Sequence, residues 1–212
     1  MKKIIITIDG PAASGKGRIA KYIAKKYNFT HIDSGLMYRK IAKVLIDNKI
    51  DLKKNNQIKQ ILIKNNKLSL RNNNNLRNEY IGKVSSIIAK MNYVRNHINK
   101  QQIMHTEQKT NKKGFVIDGR DIGSVVFKNA DLKLFIDVTP NVRAKRRHKQ
   151  LIDLGEKSIY AEILKEIKLR DKQDIIRLNS PLVIPIGAHI IDNSKSFNET
   201  LRKINHLIGQ IK

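Results

Sequence analysis

The segment Gly10-Pro11-Ala12-Ala13-Ser14-Gly15-Lys16-Gly17 decides how the rest of the chain is interpreted. It follows an apolar run at 4–8, which predicts a buried strand, and it leads into an amphipathic pattern over Lys16–Tyr27 that predicts a helix. Gly10 and Gly15 allow backbone angles at which successive N–H groups point at one anion, and the helix N-terminus adds the positive end of its dipole. A short glycine-rich motif can also be an ordinary turn. Its place between a strand and a helix, with a lysine at its end, favours a phosphate-binding loop.

Hydrophobic periodicity along the rest of the chain predicts alternating strands and helices. Strands are predicted at 2–8, 30–33, 114–118, 132–137 and 188–192. Helices are predicted at 16–27, 36–48, 78–109 with a break near Asn92, 140–154, 158–176 and 196–211. The stretch 50–69 fits turns of helix or of strand, and the polar tract 72–75 predicts an exposed loop. The alternation predicts an α/β fold with a parallel, doubly wound sheet.

Composition excludes several classes of protein. The 212 residues include no cysteine, so a disulfide framework and a thiolate metal site are both excluded. No stretch approaches the roughly 20 apolar residues that span a bilayer, and the run at 4–8 is too short for a signal peptide. We therefore expect a cytoplasmic protein without a membrane partner.

The formal net charge of +25 has two interpretations. It is typical of polyanion binding, but here it comes mostly from dispersed lysines among abundant Asn and Ile, which favours a solvated basic surface. Aromatic residues are only 5% of the chain, so it offers few platforms on which bases could stack. A nucleic-acid role is therefore not expected.

Arginines from four separate places in the sequence suit chemistry at crowded phosphates. They are Arg39, Arg120, Arg170 and Arg177. The planar guanidinium binds phosphate through two parallel hydrogen bonds, which a lysine cannot reproduce. Arg120 directly follows a predicted strand, at the edge where open α/β sheets bind their ligands. A local ion pair between Arg120 and Asp121 is the structural alternative.

Four sequence blocks resemble the bacterial cytidylate kinases, a P-loop nucleoside monophosphate kinase family. The phosphate loop ends in Gly-Lys-Gly, where GTPases and motor ATPases carry Ser or Thr after the lysine. His31-Ile32-Asp33-Ser34-Gly35-Leu36-Met37-Tyr38-Arg39 is similar to the family's D-S-G-x-x-Y-R segment. Asp118-Gly119-Arg120-Asp121-Ile122-Gly123 is similar to its D-G-R-D-x-G block. The arginine-rich segment from Arg170-Asp171 to Ser180-Pro181-Leu182 is similar to the family's segment after the lid. The four blocks occur in the family's order, so the resemblance covers almost the whole chain.

This resemblance implies a P-loop NTPase fold with a central five-stranded parallel sheet flanked by helices, an acceptor-binding insert and a short lid. The single kinase domain would comprise a core at about 1–40, 110–145 and 170–212, an insert at about 41–109 and a lid at about 146–169. By the same resemblance, the reaction moves the γ-phosphoryl group of ATP to CMP or dCMP with Mg²⁺ as cofactor. We expect a monomer.

The resemblance also implies the site residues. Those expected at ATP are Gly10, Pro11, Ala12, Ala13, Ser14, Gly15, Lys16, Gly17 and Arg18, with Arg143, Arg146 and Arg147 from the start of the lid. Those expected at CMP are Ser34, Arg39, Ser86, Arg95, Arg120, Asp121, Arg170, Asp174 and Arg177. Lys16, Arg120, Arg170 and Arg177 are the expected catalytic residues. No direct protein ligand to the metal is expected, and Asp118 is a candidate outer-shell partner of Mg²⁺.

Chemistry supports the choice of base. Cytosine presents an exocyclic amino group that a carboxylate can accept, whereas uracil presents a carbonyl there. Asp121, the family's base-reading position, would therefore reject UMP by leaving two acceptors face to face. The CMP phosphate is mostly dianionic at neutral pH, so its attack needs no general base.

Three features depart from the family pattern. Arg18 replaces the usual Thr or Ser, Gln173 replaces a frequent arginine, and Leu76-Arg77-Asn78 stands for an I-R-T motif in a shortened insert. Three alternatives follow: a kinase of the same fold acting on UMP, AMP or shikimate, a nucleic-acid-binding NTP switch, and a family member that has lost activity.

Overall fold

The computed structural model describes residues 3–71, 76 and 78–211. The strands are β1 (Ile4–Asp9), β2 (Phe29–Asp33), β3 (Gly114–Gly119), β4 (Leu132–Asp137) and β5 (His189–Asp192). The helices are α1 (Lys16–Tyr27), α2 (Ser34–Asp47), α3 (Asn55–Lys64), α4 (Glu79–Ile88), α5 (Asn92–Glu107), α6 (Pro140–Asp153), α7 (Tyr160–Ile176) and α8 (Phe197–Gln210). A short π-helical turn, Ile122–Val126, follows β3.

The strands form one five-stranded sheet in the order β2-β3-β1-β4-β5. β1 lies in its centre and pairs in parallel with β3 on one side and β4 on the other. Asp9, the last residue of β1, is in register with Gly119, the last residue of β3. The phosphate loop and the turn after β3 therefore leave the same edge of the sheet, where parallel sheets bind their ligands.

Two compact units make up the chain, and the division between them falls within β2. The first comprises Met1–Thr30 with Lys113–Lys212, and the second comprises His31–Lys112. Strands buried on both faces are typical of parallel sheets and need continuous apolar runs. The core of the first unit accordingly contains Ile6, Ile8, Val116, Leu134 and Ile136 from strands, Ile19 and Ile23 from α1, and Ile204 and Ile208 from α8.

The second unit is built on helix packing. Helices α2, α3, α4 and α5 bury Ile41, Leu45, Ile58, Leu62, Ile88, Val94 and Ile98. Between residues 34 and 112, the described residues form no strand. The predicted loop at 72–75 and Arg77 lie outside the described residues.

The predicted five-stranded parallel sheet flanked by helices is confirmed. The helix predicted at Lys16–Tyr27 has those bounds, and the predicted break near Asn92 separates α4 from α5. The stretch 50–69, which fitted helix or strand, contains α3. The sequence did not predict the π-helical turn after β3, because five residues are too few for periodicity to show. None of the helices in the described residues is long and apolar enough to cross a membrane.

Candidate active site

The phosphate loop takes its shape from glycines that no other residue could replace. Gly10 has φ 151°, and a Cβ there would lie 2.5 Å from the carbonyl oxygen of Ile136 in β4. Gly15 has φ 88°, and a Cβ there would lie 2.6 Å from the side-chain nitrogen of Asn193. Real Cβ atoms do not approach so closely, so both positions require glycine. The predicted loop thus sits between β1 and α1 in the geometry that its sequence implies.

Asn193 supports the loop from the far end of the chain. Its side-chain nitrogen donates to the Ser14 carbonyl oxygen (2.8 Å), and its oxygen accepts from the Thr200 hydroxyl (3.1 Å). Asn193 is buried between β5 and α8. The sequence does not single out this residue, because an asparagine after a strand is typical of any turn.

Lys16 is the most perturbed cation of the site. Its Nζ donates to the Pro11 carbonyl oxygen (2.9 Å), and its side chain is buried. Burial, followed by the positive charge of Arg120, lowers the pKa of Lys16 to about 7. Arg170 lowers it further, while Asp118 and Asp174 act to raise it. The loop lysine therefore lies within electrostatic reach of Arg120 and Arg170, two of the arginines predicted for catalysis.

We expect ATP binding to be coupled to proton uptake by Lys16. Because its pKa is about 7 without ligand, the amine is largely neutral at pH 8, and bound phosphates would restore its charge. Calorimetric titration with ATP in buffers of different ionisation enthalpy should show an uptake approaching one proton per nucleotide at pH 8 and much less at pH 6. An uptake at pH 8 that is the same in Lys16→Met would contradict this assignment.

A cluster of arginines and carboxylates lies after β3 and along the end of α7. Arg120 Nε donates to Asp174 Oδ2 (3.0 Å). Arg177 lies 3.7 Å from Asp174 Oδ1 and 3.8 Å from Asp121 Oδ1. Burial acts to raise the pKa of Asp174, but Arg120, Arg177 and Arg170 outweigh it and lower that pKa. The structure thus brings five of the predicted residues together in one group whose cations exceed its carboxylates, which suits an anionic ligand.

Arg120 pairs with Asp174, fifty-four positions away, rather than with its neighbour Asp121. The local ion pair that the sequence left open is therefore not the contact that Arg120 makes in the described structure. The arrangement instead connects the end of β3 with α7.

Arg143, which is predicted at ATP, is hydrogen-bonded to other residues of the protein. Its guanidinium donates to the carbonyl oxygens of Val138 (2.9 Å) and Ala12 (3.0 Å) and forms a two-pronged pair with Asp171. Its exposed fraction is 2%. Arg143 therefore fastens the phosphate loop to α6 and α7.

Three other arginines predicted at ATP are exposed. Arg146 donates to the Ser194 carbonyl oxygen (3.1 Å), and Arg147 donates to Gln150 within its own helix (3.2 Å). The guanidinium of Arg18 stacks on the Phe197 ring, 3.7 Å from its centroid. Arg18 therefore holds α1 against α8, and its charged group lies outside the loop.

Asp118 lies beside the phosphate loop, where its carboxylate could accept a hydrogen bond from a water molecule bound to a metal ion. A Cβ added to Gly17 would lie 3.6 Å from Asp118 Oδ2, so this carboxylate faces the position where many P-loops carry a hydroxyl. It is 5% exposed. The described residues contain no group of three or more His, Asp or Glu side chains that could hold a metal alone. An oxygen donor of this kind fits Mg²⁺, which keeps several waters and binds together with substrate phosphates.

The second unit holds the remaining residues predicted at CMP. Ser34 is the first residue of α2, after Asp33 whose carboxylate caps the helix at Leu36 N (2.9 Å). Arg39 donates to the carbonyl oxygens of Leu76 (2.9 Å) and Asn78 (3.2 Å).

Gly82 of α4 lets Arg39 and Ser86 approach the same turn of helix. A Cβ at Gly82 would lie 3.1 Å from the Arg39 guanidinium, and the Ser86 hydroxyl donates to the Gly82 carbonyl oxygen (3.0 Å). Arg95 is buried, donates to the Ala89 carbonyl oxygen (3.0 Å) and lies over the Tyr38 ring. The helices α2, α4 and α5 thus hold these residues in one unit.

Fold and loop together define the class of this protein as one with the P-loop NTPase fold. Solved structures agree on the fold: a shikimate kinase from Bacteroides thetaiotaomicron superposes with a TM-score of 0.53 at 10% identity, with 97% of this chain and 98% of that one covered. The protein TT1252 from Thermus thermophilus gives a TM-score of 0.54 at 13% identity, with both chains fully covered.

Sequence comparison gives the family. The model of the cytidylate kinase family matches residues 6–210. The cytidylate kinase of Rickettsia canadensis (strain McKiel) is 43% identical over 208 residues, which cover 98% of this chain and 93% of the relative. That of Rickettsia rickettsii (strain Sheila Smith) is 43% identical over 204 residues, covering 96% and 90%. The chain belongs to the cytidylate kinase family and is therefore an enzyme, a phosphotransferase.

Proposed function

We propose that this enzyme transfers the γ-phosphoryl group of ATP to CMP or dCMP, giving ADP and CDP or dCDP. Family membership supports the reaction class. The single observation that carries the assignment of residues is the convergence of Lys16, Arg120, Arg170, Arg177 and their two carboxylates at the sheet edge beside the phosphate loop. Such a group supplies positive charge where phosphoryl transfer concentrates negative charge.

The proposed reaction is an in-line displacement. A phosphate oxygen of CMP attacks the γ-phosphorus of ATP, the bond from that phosphorus to the β,γ-bridging oxygen breaks, and ADP leaves. Residues 10–17 bind the ATP phosphates through backbone N–H groups, and Lys16 follows the migrating group. Arg120, Arg170 and Arg177 neutralise its charge and orient the acceptor. Asp118 would hold Mg²⁺ through water, and the ion would supply positive charge at the ATP phosphates.

Base recognition is assigned to Asp121 in this proposal. Its carboxylate is 8% exposed and lies beside Arg177, so an amino group that donates to it would face little competition from water.

Asp174 with Arg170 is assigned to the sugar, and Ser34, Arg39, Ser86 and Arg95 of the second unit are assigned to CMP from the sequence resemblance. Arg143 would contribute through the loop that it fastens, and Arg18, Arg146 and Arg147 remain assigned to ATP only as surface cations. We also propose that the insert at 41–109 and the lid at 146–169 close over the nucleotides, and that the enzyme is a cytoplasmic monomer.

Acceptor-dependent ADP production tests the proposal. With ATP and Mg²⁺, CMP and dCMP should support turnover far better than UMP and AMP. The absence of any acceptor-dependent turnover would contradict the proposal, and a preference for UMP or AMP would overturn the base assignment.

Asp121→Ala should lower kcat/KM for CMP by at least ~10²-fold and affect UMP much less, because only cytosine donates to the lost carboxylate. Asp121→Asn is the matched variant, since its amide can donate as well as accept and should move the preference toward UMP. Steady-state kinetics with both acceptors measures this ratio. A CMP-to-UMP ratio that is unchanged in both variants would show that Asp121 does not read the base.

A further inference from the structure

The π-helical turn after β3 is capped by a residue from another strand. The carboxylate of Asp9, at the end of β1, accepts from Ile122 N through Oδ1 (2.8 Å) and from Gly123 N through Oδ2 (2.7 Å). Asp9 is 0% exposed. The first N–H groups of a helix have no partner within the helix, and here one distant side chain satisfies two of them.

The turn must lie close against β1 for these bonds to form. A Cβ added to Gly123 would lie 2.7 Å from the Thr7 hydroxyl and 3.2 Å from Asp9 Oδ2. Only glycine fits between the turn and the strand. Since π-helical turns are frequent at functional sites, this turn is itself a sign that the segment has a function.

Asp121 stands at the N-cap position of the turn, yet its side chain makes no capping bond. An aspartate at an N-cap ordinarily accepts from the second or third N–H that follows it. Asp9 already occupies the first and second donors of the turn, Ile122 N and Gly123 N, which leaves only the third, Ser124 N, for a cap by Asp121. The Asp121 carboxylate instead lies 3.8 Å from Arg177, on the side of the arginine cluster.

We propose that Asp9 is a positioning residue for base recognition: by capping the turn in place of Asp121, it keeps the Asp121 carboxylate beside Arg177 rather than on its own backbone. This inference rests on the proposed function of Asp121. Without Asp9, the N–H groups of Ile122 and Gly123 would lose their acceptor. The Asp121 carboxylate, on the residue directly before the turn, would then accept from the backbone of the turn, and selectivity for cytosine would fall.

The charged groups around Asp9 make the cap sensitive to pH. Burial raises the pKa of Asp9 to about 6, against the two backbone donors that lower it. Asp121, after β3, raises it further, and Lys16, at the start of α1, lowers it. Above pH 6 both oxygens accept. Below pH 6 one oxygen carries a proton and can no longer accept from its N–H group, so the cap weakens as pH falls.

Asp9→Asn is the isosteric test, because the amide keeps one acceptor and turns an NH₂ group toward the other donor. We expect the ratio of kcat/KM for CMP over UMP to fall by roughly tenfold or more, the loss of about one discriminating hydrogen bond to a charged group. KM for ATP should change by less than about threefold, because β1 is paired with β3 on one side and β4 on the other, which fixes its backbone. Glu199→Gln, an exposed residue of α8, is the matched control for the change in charge and should leave the ratio unchanged.

The pH profile separates positioning from a general structural effect. In the wild-type enzyme the CMP-to-UMP ratio should fall between pH 7.5 and 5.5, and in Asp9→Asn it should be low and flat. The second ionisation of the acceptor phosphate, near pH 6, is common to both nucleotides and cancels in the ratio. Amide NMR of the wild-type protein gives a test that needs no variant: the Ile122 and Gly123 signals should titrate together with a midpoint near 6.

The outcomes are distinct. If Asp121→Ala lowers the ratio and Asp9→Asn does not, the positioning role of Asp9 is wrong and the proposed function stands. If neither variant changes the ratio, the base assignment of Asp121 fails, and the inference fails with it. If Asp9→Asn does not fold, the wild-type protein still tests the inference. Amide signals of Ile122 and Gly123 that do not titrate, or a CMP-to-UMP ratio that does not change with pH, would overturn it.

Discussion

Replacing Lys16 by methionine should lower kcat for CMP phosphorylation by roughly 10²–10³-fold. Lys16 is the buried cation of the phosphate loop, and no other lysine in the loop could substitute for it. Methionine keeps much of the apolar volume and removes the charge, so the fold should persist. Because the charge matters most where negative charge develops during transfer, kcat should fall more than KM for ATP rises.

Steady-state kinetics with a single-turnover comparison measures this effect. Lys21→Met, an exposed lysine on the same helix, is the matched control and should keep wild-type rates. A Lys16→Met enzyme that retained more than about a tenth of wild-type kcat would show that the arginines carry the transfer without the lysine.

Replacing Arg143 by methionine should lower the free energy of unfolding by about 3–5 kcal/mol. The change removes four hydrogen bonds, to Val138, Ala12 and Asp171, and leaves the Asp171 carboxylate unpaired at 15% exposure. Breaking a buried pair from one side costs more than replacing both partners. The double variant Arg143→Met with Asp171→Leu should therefore recover part of the loss.

Urea unfolding followed by circular dichroism measures these differences. Arg147→Met, an exposed arginine one turn along α6, should change the free energy of unfolding by no more than about 0.5 kcal/mol. If Arg143→Met were as mild as Arg147→Met, Arg143 would not be the fastener that its contacts indicate. That result would favour the contact between Arg143 and ATP that the sequence predicts.

Local chemistry made much of this protein predictable. The glycine and lysine spacing of residues 10–17 predicted a phosphate loop because the backbone angles it needs are available almost only to glycine. Runs of Ile and Val predicted the strands, since a parallel sheet is buried on both faces. The residues Arg120, Asp121, Arg170, Asp174 and Arg177 were named from short motifs, and the structure groups them.

Partners distant in sequence were not predictable in this way. Arg143 resembles any lid arginine in sequence, and only its contacts with Ala12 and Asp171 show that it is buried. Arg18 is predicted at phosphate, and only the structure shows that its guanidinium stacks on Phe197. Asn193 acts on a carbonyl oxygen 179 positions earlier in the chain.

The sequence by itself determined the class of fold, the phosphate loop and the family, because each depends on residues that are neighbours along the chain. The tertiary structure alone decided which charges are paired and which carboxylate caps which turn. In the sequence Asp9 stands just after the predicted strand at 2–8, yet in the structure it accepts hydrogen bonds from Ile122 and Gly123, more than a hundred positions away. The register of β1 with β3 brings them together, and side-chain pairing of that kind depends on packing that no local pattern encodes.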